Sequence, residues 1–156
     1  MLDYTDQDLM DAAQRTVNVY AKIANKELGA NIPIPVPLQF DLCNTDPKTA
    51  GIAHSDMRIK VNMVLLREYP REMLNVVLPH EVSHLAQMSK YDRRGFATQS
   101  HGVEWQEIMR RLGKDPQKYH NFDVTNAVEH HKQYKKEQKA AQRAREKAFK
   151  DQLDDE

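Results

Sequence analysis

A chain of 156 residues with 40% hydrophobic content supports one domain with one modest core and is too apolar to be disordered throughout. Lys and Arg (23) balance Asp and Glu (23), so no global field points to nucleic acid or an anionic surface, and any such partner must be argued from a local patch. The single cysteine, Cys43, excludes an intramolecular disulfide, and with no basic-then-apolar leader or long apolar run the expectation is a soluble, reducing, cytoplasmic setting without membrane contact.

Thr5-Asp6-Gln7-Asp8 reads as a helix start with Asp8 in the capping-partner position. Leu9, Ala12, Ala13, Thr16, Val17, Tyr20 and Ala24 follow at helical spacing until Gly29 closes the element. Pro33, Pro35 and Pro37 force an extended connection, after which Leu38, Phe40 and Leu42 alternate with Gln39 and Asp41 as in a half-buried strand. Past a turn from Asn44 to Lys48, Met57, Ile59 and Val61 alternate with Arg58, Lys60 and Asn62 in a further strand. A small antiparallel hairpin or meander is therefore expected, with the Met57-to-Asn62 strand at the rim of a cleft, as an edge that can pair with a peptide.

A short helix is predicted from Asn62 to Arg67, and Tyr69-Pro70-Arg71-Glu72 restarts the chain with proline in a first turn. The longest apolar-periodic segment follows, marked by Leu74, Val77, Leu78, Leu85 and Met88, and runs to about Lys90. Pro79 inside it removes a backbone hydrogen bond and predicts a kink or restart. Tyr91 to Ser100 reads as a loop, and the next helix opens at His101-Gly102-Val103-Glu104-Trp105, burying Trp105, Ile108, Met109 and Leu112 before Gly113 stops it. Asp123 is expected to cap a last helix rich in charge, with Lys132, Lys135, Lys136, Lys139, Arg143, Arg145, Lys147 and Lys150. It ends in the acidic run from Asp151 to Glu156. The fold class is α+β, a small antiparallel sheet packed on helices, with a domain over 1–122 and a charged helical extension over 123–156.

Within the apolar segment stands His80-Glu81-Val82-Ser83-His84. Residues four apart stack on one helix face with β-carbons roughly 5–6 Å apart, so His80 and His84 can aim ring nitrogens at one ion. Glu81 points about 100° further round the helix and can reach a water beside that ion without ligating, which is where a general base belongs. Zinc suits imidazole and brings the pKa of its water to about 7, so the implied reaction is hydrolysis. Paired histidines recur in unrelated helices; what lifts this pair is a carboxylate on an otherwise buried segment and a third ligand 17 residues on. His101 completes three histidines with a fourth position open, while Glu104 on the same turn offers a two-histidine-one-glutamate set. His130 and His131 are adjacent, cannot share a helix face and read as surface residues.

These residues carry a resemblance. Ala50-Gly51 and the strand to Val61, the Pro79-to-Leu85 motif, His101-Gly102-x-Glu104-Trp105 and the weaker His120-x-Phe122 together resemble the SprT-like family of zinc metallopeptidases, which includes Spartan-type DNA–protein crosslink proteases. The resemblance covers roughly Ala50 to Phe122. It implies a zincin-like domain, zinc held by His80, His84 and His101, Glu81 as general base, and proteolysis of a protein or peptide substrate. Relatives commonly add cysteine-rich or separate DNA-binding elements after the protease domain. This chain has no cysteine there, so DNA contact would fall to the basic last helix, whose lysines and arginines suit sequence-independent phosphate binding. A solvated helix balanced by Glu129, Glu137, Glu146 and the acidic end is the competing reading. Two other classes stand beside the peptidase: a non-catalytic zinc-dependent nucleic-acid-binding or regulatory module, and an adaptor whose basic helix binds a partner protein. An unligated Glu81 beside an open coordination position favours the enzyme, since a purely structural site is closed by a fourth ligand.

Overall fold

The computed structural model describes residues 4–41, 46–91, 101–116 and 120–155. Leu42, Cys43, the start of the turn from Asn44 and all but the first residue of the Tyr91-to-Ser100 loop lie outside them. Helix α1 (Asp6–Leu28) begins with a reciprocal capping box between Thr5 and Asp8 and ends on Gly29 in the left-handed conformation at φ 68°. Its buried stripe is Leu9, Ala13, Val17, Ala21, Ala24 and Leu28, and the three alanines let the motif helix lie close against it. Three strands follow: β1 (Leu38–Asp41), β2 (Gly51–Ala53) and β3 (Ile59–Asn62).

Their order, β1-β3-β2, corrects the expected antiparallel hairpin. β1 runs parallel to β3 with Leu38 opposite Ile59, and β2 runs antiparallel to it with Gly51 opposite Val61, so the sheet is mixed. β2 is three residues long and shows no apolar alternation, which is why a period-of-two reading passes over it. The consequence for function is that β3 lies in the centre with both edges paired. The Met57-to-Asn62 strand cannot be the peptide-pairing edge; the edge nearest the motif helix is β2.

Asn62 joins several parts of the fold. Buried at the end of β3, it accepts the Leu65 N–H to cap α2 (Met63–Glu68) and donates to the carbonyls of Pro47 and Thr49. Pro70 opens the short α3 (Pro70–Glu72), a π-helical turn covers Met73–Val77, and α4 (Leu78–Tyr91) carries the motif. The expected disturbance at Pro79 thus takes the form of a wide turn immediately before it: Leu78 N–H bonds to the Met73 carbonyl, five residues back. Proline at position 79 has no N–H for the Asn75 carbonyl and its ring would crowd that oxygen, and the widened turn relieves both problems.

Helix α5 (Val103–Arg111) packs on α4 through Trp105, Ile108 and Met109. The last helix, α6 (Thr125–Asp154), has Val124 at its N-cap, one residue beyond the expected cap; Asp123 still accepts from the N–H and hydroxyl of Thr125, at 3.0 and 2.6 Å. Only Ala127 of its 30 residues is buried, where the first turns meet α2. Phe122, just before the helix, stacks between Tyr69 and His120 with ring centroids 4.6 and 4.7 Å apart. No described helix is long and apolar enough to cross a membrane.

Candidate metal centre

The helical spacing of His80 and His84 places their rings side by side on α4, and the turn just before α5 brings His101 to them. The three Nε2 atoms form a triangle with sides of 3.0 Å (His80–His84), 3.2 Å (His84–His101) and 3.2 Å (His80–His101). Protons alone cannot satisfy such a triangle. Each neutral Nε2 offers either one N–H or one lone pair, so at least one pair must meet like to like. A cation resolves the conflict, and a tetrahedral ion with metal–nitrogen bonds of 2.0–2.1 Å wants its nitrogens about 3.3 Å apart, close to what is seen. Among the described residues these three histidines are the only group of metal-ligating side chains close enough to hold an ion, and Glu104 is not in it.

The charge state of the cluster suits a metal. Burial pushes the His84 imidazole down to about 3, helped by His80 and His101 and opposed by a hydrogen bond to Gln87, so at neutral pH its lone pair is available. Trp105 forms the floor. Fully buried, it lies under all three rings with centroids 4.7 Å from His80, 5.4 Å from His84 and 4.9 Å from His101, and its indole N–H donates to the His80 carbonyl at 3.3 Å. Read from sequence, Trp105 is one member of a core stripe; its contact with all three histidines becomes visible only when α4 and α5 are docked.

Glu81 stands beside the triangle without joining it. Its Oε1 is 3.8 Å from His80 Nε2 and its side chain is 8% exposed. Burial pushes the carboxyl up to about 8, against the opposing effect of the Ala53 backbone N–H, which donates to it. Strand β2 therefore crosses directly over this carboxylate. Gly51 shows how tightly: a β-carbon there would sit 3.1 Å from Glu81 Cγ and 3.4 Å from Val77 Cγ1. The sequence reading used Gly51 only as part of a resemblance, and the close approach is the physical reason for it. Sequence reasoning also missed Gln87, although His80, His84 and Gln87 at i, i+4 and i+7 share one face of α4.

A half-buried cluster of three histidines, two on α4 and one in the turn before α5, with a glutamate outside the cluster between its first two members, defines a candidate metal-binding domain of the His-Glu-x-x-His class. Residues 24–145 match the SprT-like family, and the chain belongs to that family. It is similar to Protein SprT of Shewanella oneidensis, 43% identical over 79 residues that make up 49% of this chain and 48% of that protein. With Protein SprT of Vibrio parahaemolyticus it shares 32% identity over 123 residues, 78% of this chain and 70% of that protein. With that of Actinobacillus succinogenes the identity is 40% over 77 residues, 48% of this chain and 43% of that protein. The aligned part thus spans from under half to about 70% of these relatives' length. No solved structure gives a significant match.

Proposed function

We propose that this chain is a zinc-dependent endopeptidase of zincin-like fold, with Glu81 as its general base. The observation that carries the reading is the buried Glu81 carboxyl, 3.8 Å from a ligand nitrogen and outside the ligand set. His80, His84 and His101 would hold the ion, and imidazole donors suit zinc. When bound, zinc supplies a Lewis acid that lowers the pKa of water toward about 7 and polarises a carbonyl. Glu81 takes the proton from the attacking water and delivers it toward the leaving amine nitrogen. The hydrogen bond from Ala53 orients the Glu81 carboxyl for that exchange.

Substrate positioning falls to β2. Its Ala50 carbonyl and His54 N–H bond to β3, so by alternation the backbone groups of Gly51 and Ala53 point the other way, toward α4 and the site. An extended peptide laid along that edge is held by its main chain, which favours flexible segments over particular side chains. The non-catalytic alternative has no use for Glu81, whose burial as a free carboxyl is costly. The test is Glu81→Gln: zinc content should persist while cleavage of an unfolded protein falls by roughly 10²–10⁴-fold. Native-rate cleavage by a zinc-replete variant would overturn the role.

Within the same proposal, the partner that brings substrate is nucleic acid, and the substrates are proteins held on it, as in DNA–protein crosslink repair. The supporting observation is on α6, where Lys132, Lys136, Lys139, Arg143, Lys147 and Lys150 recur at i, i+4, i+7, i+11, i+15 and i+18, all exposed and on the face opposite Ala127. The stripe is about 27 Å long at 1.5 Å per residue and faces away from the domain. If all six meet phosphates, log K should fall with log salt at a slope of about −5, and charge-reversing three of them should roughly halve it. Salt-independent binding, or none, would return α6 to a solvated helix. A single cysteine is consistent with a reducing, cytoplasmic setting for such work.

A further inference from the structure

Strand β2 is three residues long and, among the described residues, pairs with β3 and no other strand, so its place over Glu81 depends on the segment that feeds it. That segment is held carbonyl by carbonyl. Asn62 donates from its side chain to Pro47 and Thr49, at 3.2 and 3.1 Å, and from its backbone to Ala50 at 2.9 Å. The Lys48 carbonyl, between these, is taken by His120 Nε2 at 2.9 Å, from 72 positions along the chain. Of these holds only that of His120 comes from outside the sheet and its turn.

The other bond of the ring fixes where its proton lies. The Phe122 N–H can only donate, and it donates to His120 Nδ1 at 3.2 Å, so Nδ1 carries the lone pair. The single proton of the neutral ring is then on Nε2, pointing at a carbonyl that can only accept. One tautomer serves both bonds. The same ring lies on Phe122, which stacks on Tyr69, so the chain entering α6 is tied to the chain entering β2. Beyond the tie there is little slack: a β-carbon on Gly51 would stand 3.1 Å from Glu81 Cγ and 3.4 Å from Val77 Cγ1, so a displaced β2 changes what the Glu81 side chain packs against.

We propose that His120 is a positioning residue for the substrate strand: by donating to the Lys48 carbonyl it holds the entry to β2, and with it the Gly51–Ala53 edge, in register with Glu81. The proposal rests on the peptidase reading above. Two variants divide the ring between its nitrogens. His120→Gln puts an amide NH2 near the place of Nε2 and keeps the donor to Lys48, whereas His120→Asn puts an oxygen near the place of Nδ1, keeping the acceptor for Phe122 and losing the tie.

Amide hydrogen exchange on the full chain reads the strand directly. The Asn62 N–H bonded to Ala50 and the His54 N–H bonded to Arg58 bracket β2. Both should exchange about 2–10-fold faster in His120→Asn, the opening expected for one lost neutral hydrogen bond, and near the native rate in His120→Gln. The amides of Val17 and Ala21 in α1 should keep native rates in both variants. Cleavage of an unfolded protein by the zinc-loaded chain should fall about 10-fold in kcat/KM in His120→Asn and stay within about twofold of native in His120→Gln, because small misplacements at a reacting centre cost this much or more. Equal effects of the two variants, native exchange at Asn62 and His54 in His120→Asn, acceleration shared equally by α1, or faster exchange around β2 with native cleavage would each overturn the proposal. A native chain that cleaves nothing, while exchange around β2 still separates the two variants as expected, would refute the peptidase reading and leave the hold of His120 on β2 standing.

Discussion

Chelator-treated protein should lose stability as the pH rises from about 6.5 to 8, and Glu81→Gln should abolish that loss. The Glu81 carboxyl has an ordinary value of 4.5 and is raised to about 8 in the fold. Between those values the native state keeps a proton that the unfolded chain has released, so stability falls as pH rises through the window and is level above it. His84 works in the opposite sense. Lowered from 6.5 to about 3, it stays neutral while the unfolded chain takes up a proton, so its contribution is lost as pH falls from 6.5 toward 3. Where the windows overlap, from about 4.5 to 6.5, the two slopes cancel and the metal-free protein should show a plateau. Above 6.5 only Glu81 acts, at about 1.4 kcal/mol per pH unit, which comes to about 2 kcal/mol by pH 8. Urea titrations at pH 6.5 and 8 would register this as a midpoint shift of about 1 M, and the difference between native and Glu81→Gln isolates it from other groups. Saturating zinc should remove the alkaline loss, because a cation beside Glu81 favours its ionised form. A metal-free native protein that tracks Glu81→Gln across this range would refute the assignment of the slope to this carboxyl.

Gly51→Ala should lower peptidase activity more than stability: its β-carbon would press on Glu81 Cγ at 3.1 Å, an overpacking cost of about 1–3 kcal/mol that moving the carboxylate can partly relieve. Activity falling only in proportion to folded fraction would contradict this. His101→Ala should abolish stoichiometric zinc binding while Glu104→Ala should cost at most about 10–100-fold, since only His101 brings a nitrogen into the triangle; metal analysis after dialysis would expose the reverse ranking. Trp105→Ala, which removes the floor under three imidazoles, should cost about 3–5 kcal/mol in urea-measured stability and weaken zinc binding as well. Unchanged zinc affinity in that variant would reduce Trp105 to a packing residue.

What could be read from the sequence is what local chemistry dictates. Thr5, Asp8 and Gly29 bound α1 because capping is decided within four residues, and His80 and His84 share a face because helical spacing alone puts them there. His101 could be nominated by type and distance in the chain, although Glu104 on the same turn could be set aside only by coordinates. The strand pairing was not legible. Leu38 and Ile59 are partners across 21 positions in a parallel ladder, and nothing in their own alternation says which way the strands run. Trp105 escaped for a related reason: it looks like an ordinary occupant of a buried face until the rings it supports are placed beside it.

The wide turn at Met73–Val77 also fixes the angular phase between two stretches of one continuous helical rod. One residue more than an α-helical turn needs sets everything after it back by about 100° relative to a regular helix, so the apolar surface of Pro70–Met73 and that of α4 are turned toward different parts of the core. The histidine face is aimed by that offset. Removing a single residue from the turn would take away the extra residue and leave the composition almost untouched, but the two ends could no longer both keep their orientation. Either Tyr69 swings away from Phe122, or His80 and His84 rotate off the line to His101. Chain length between Tyr69 and His80 is in this sense part of the metal centre, and a one-residue change there would act on the ligands as strongly as a substitution among them.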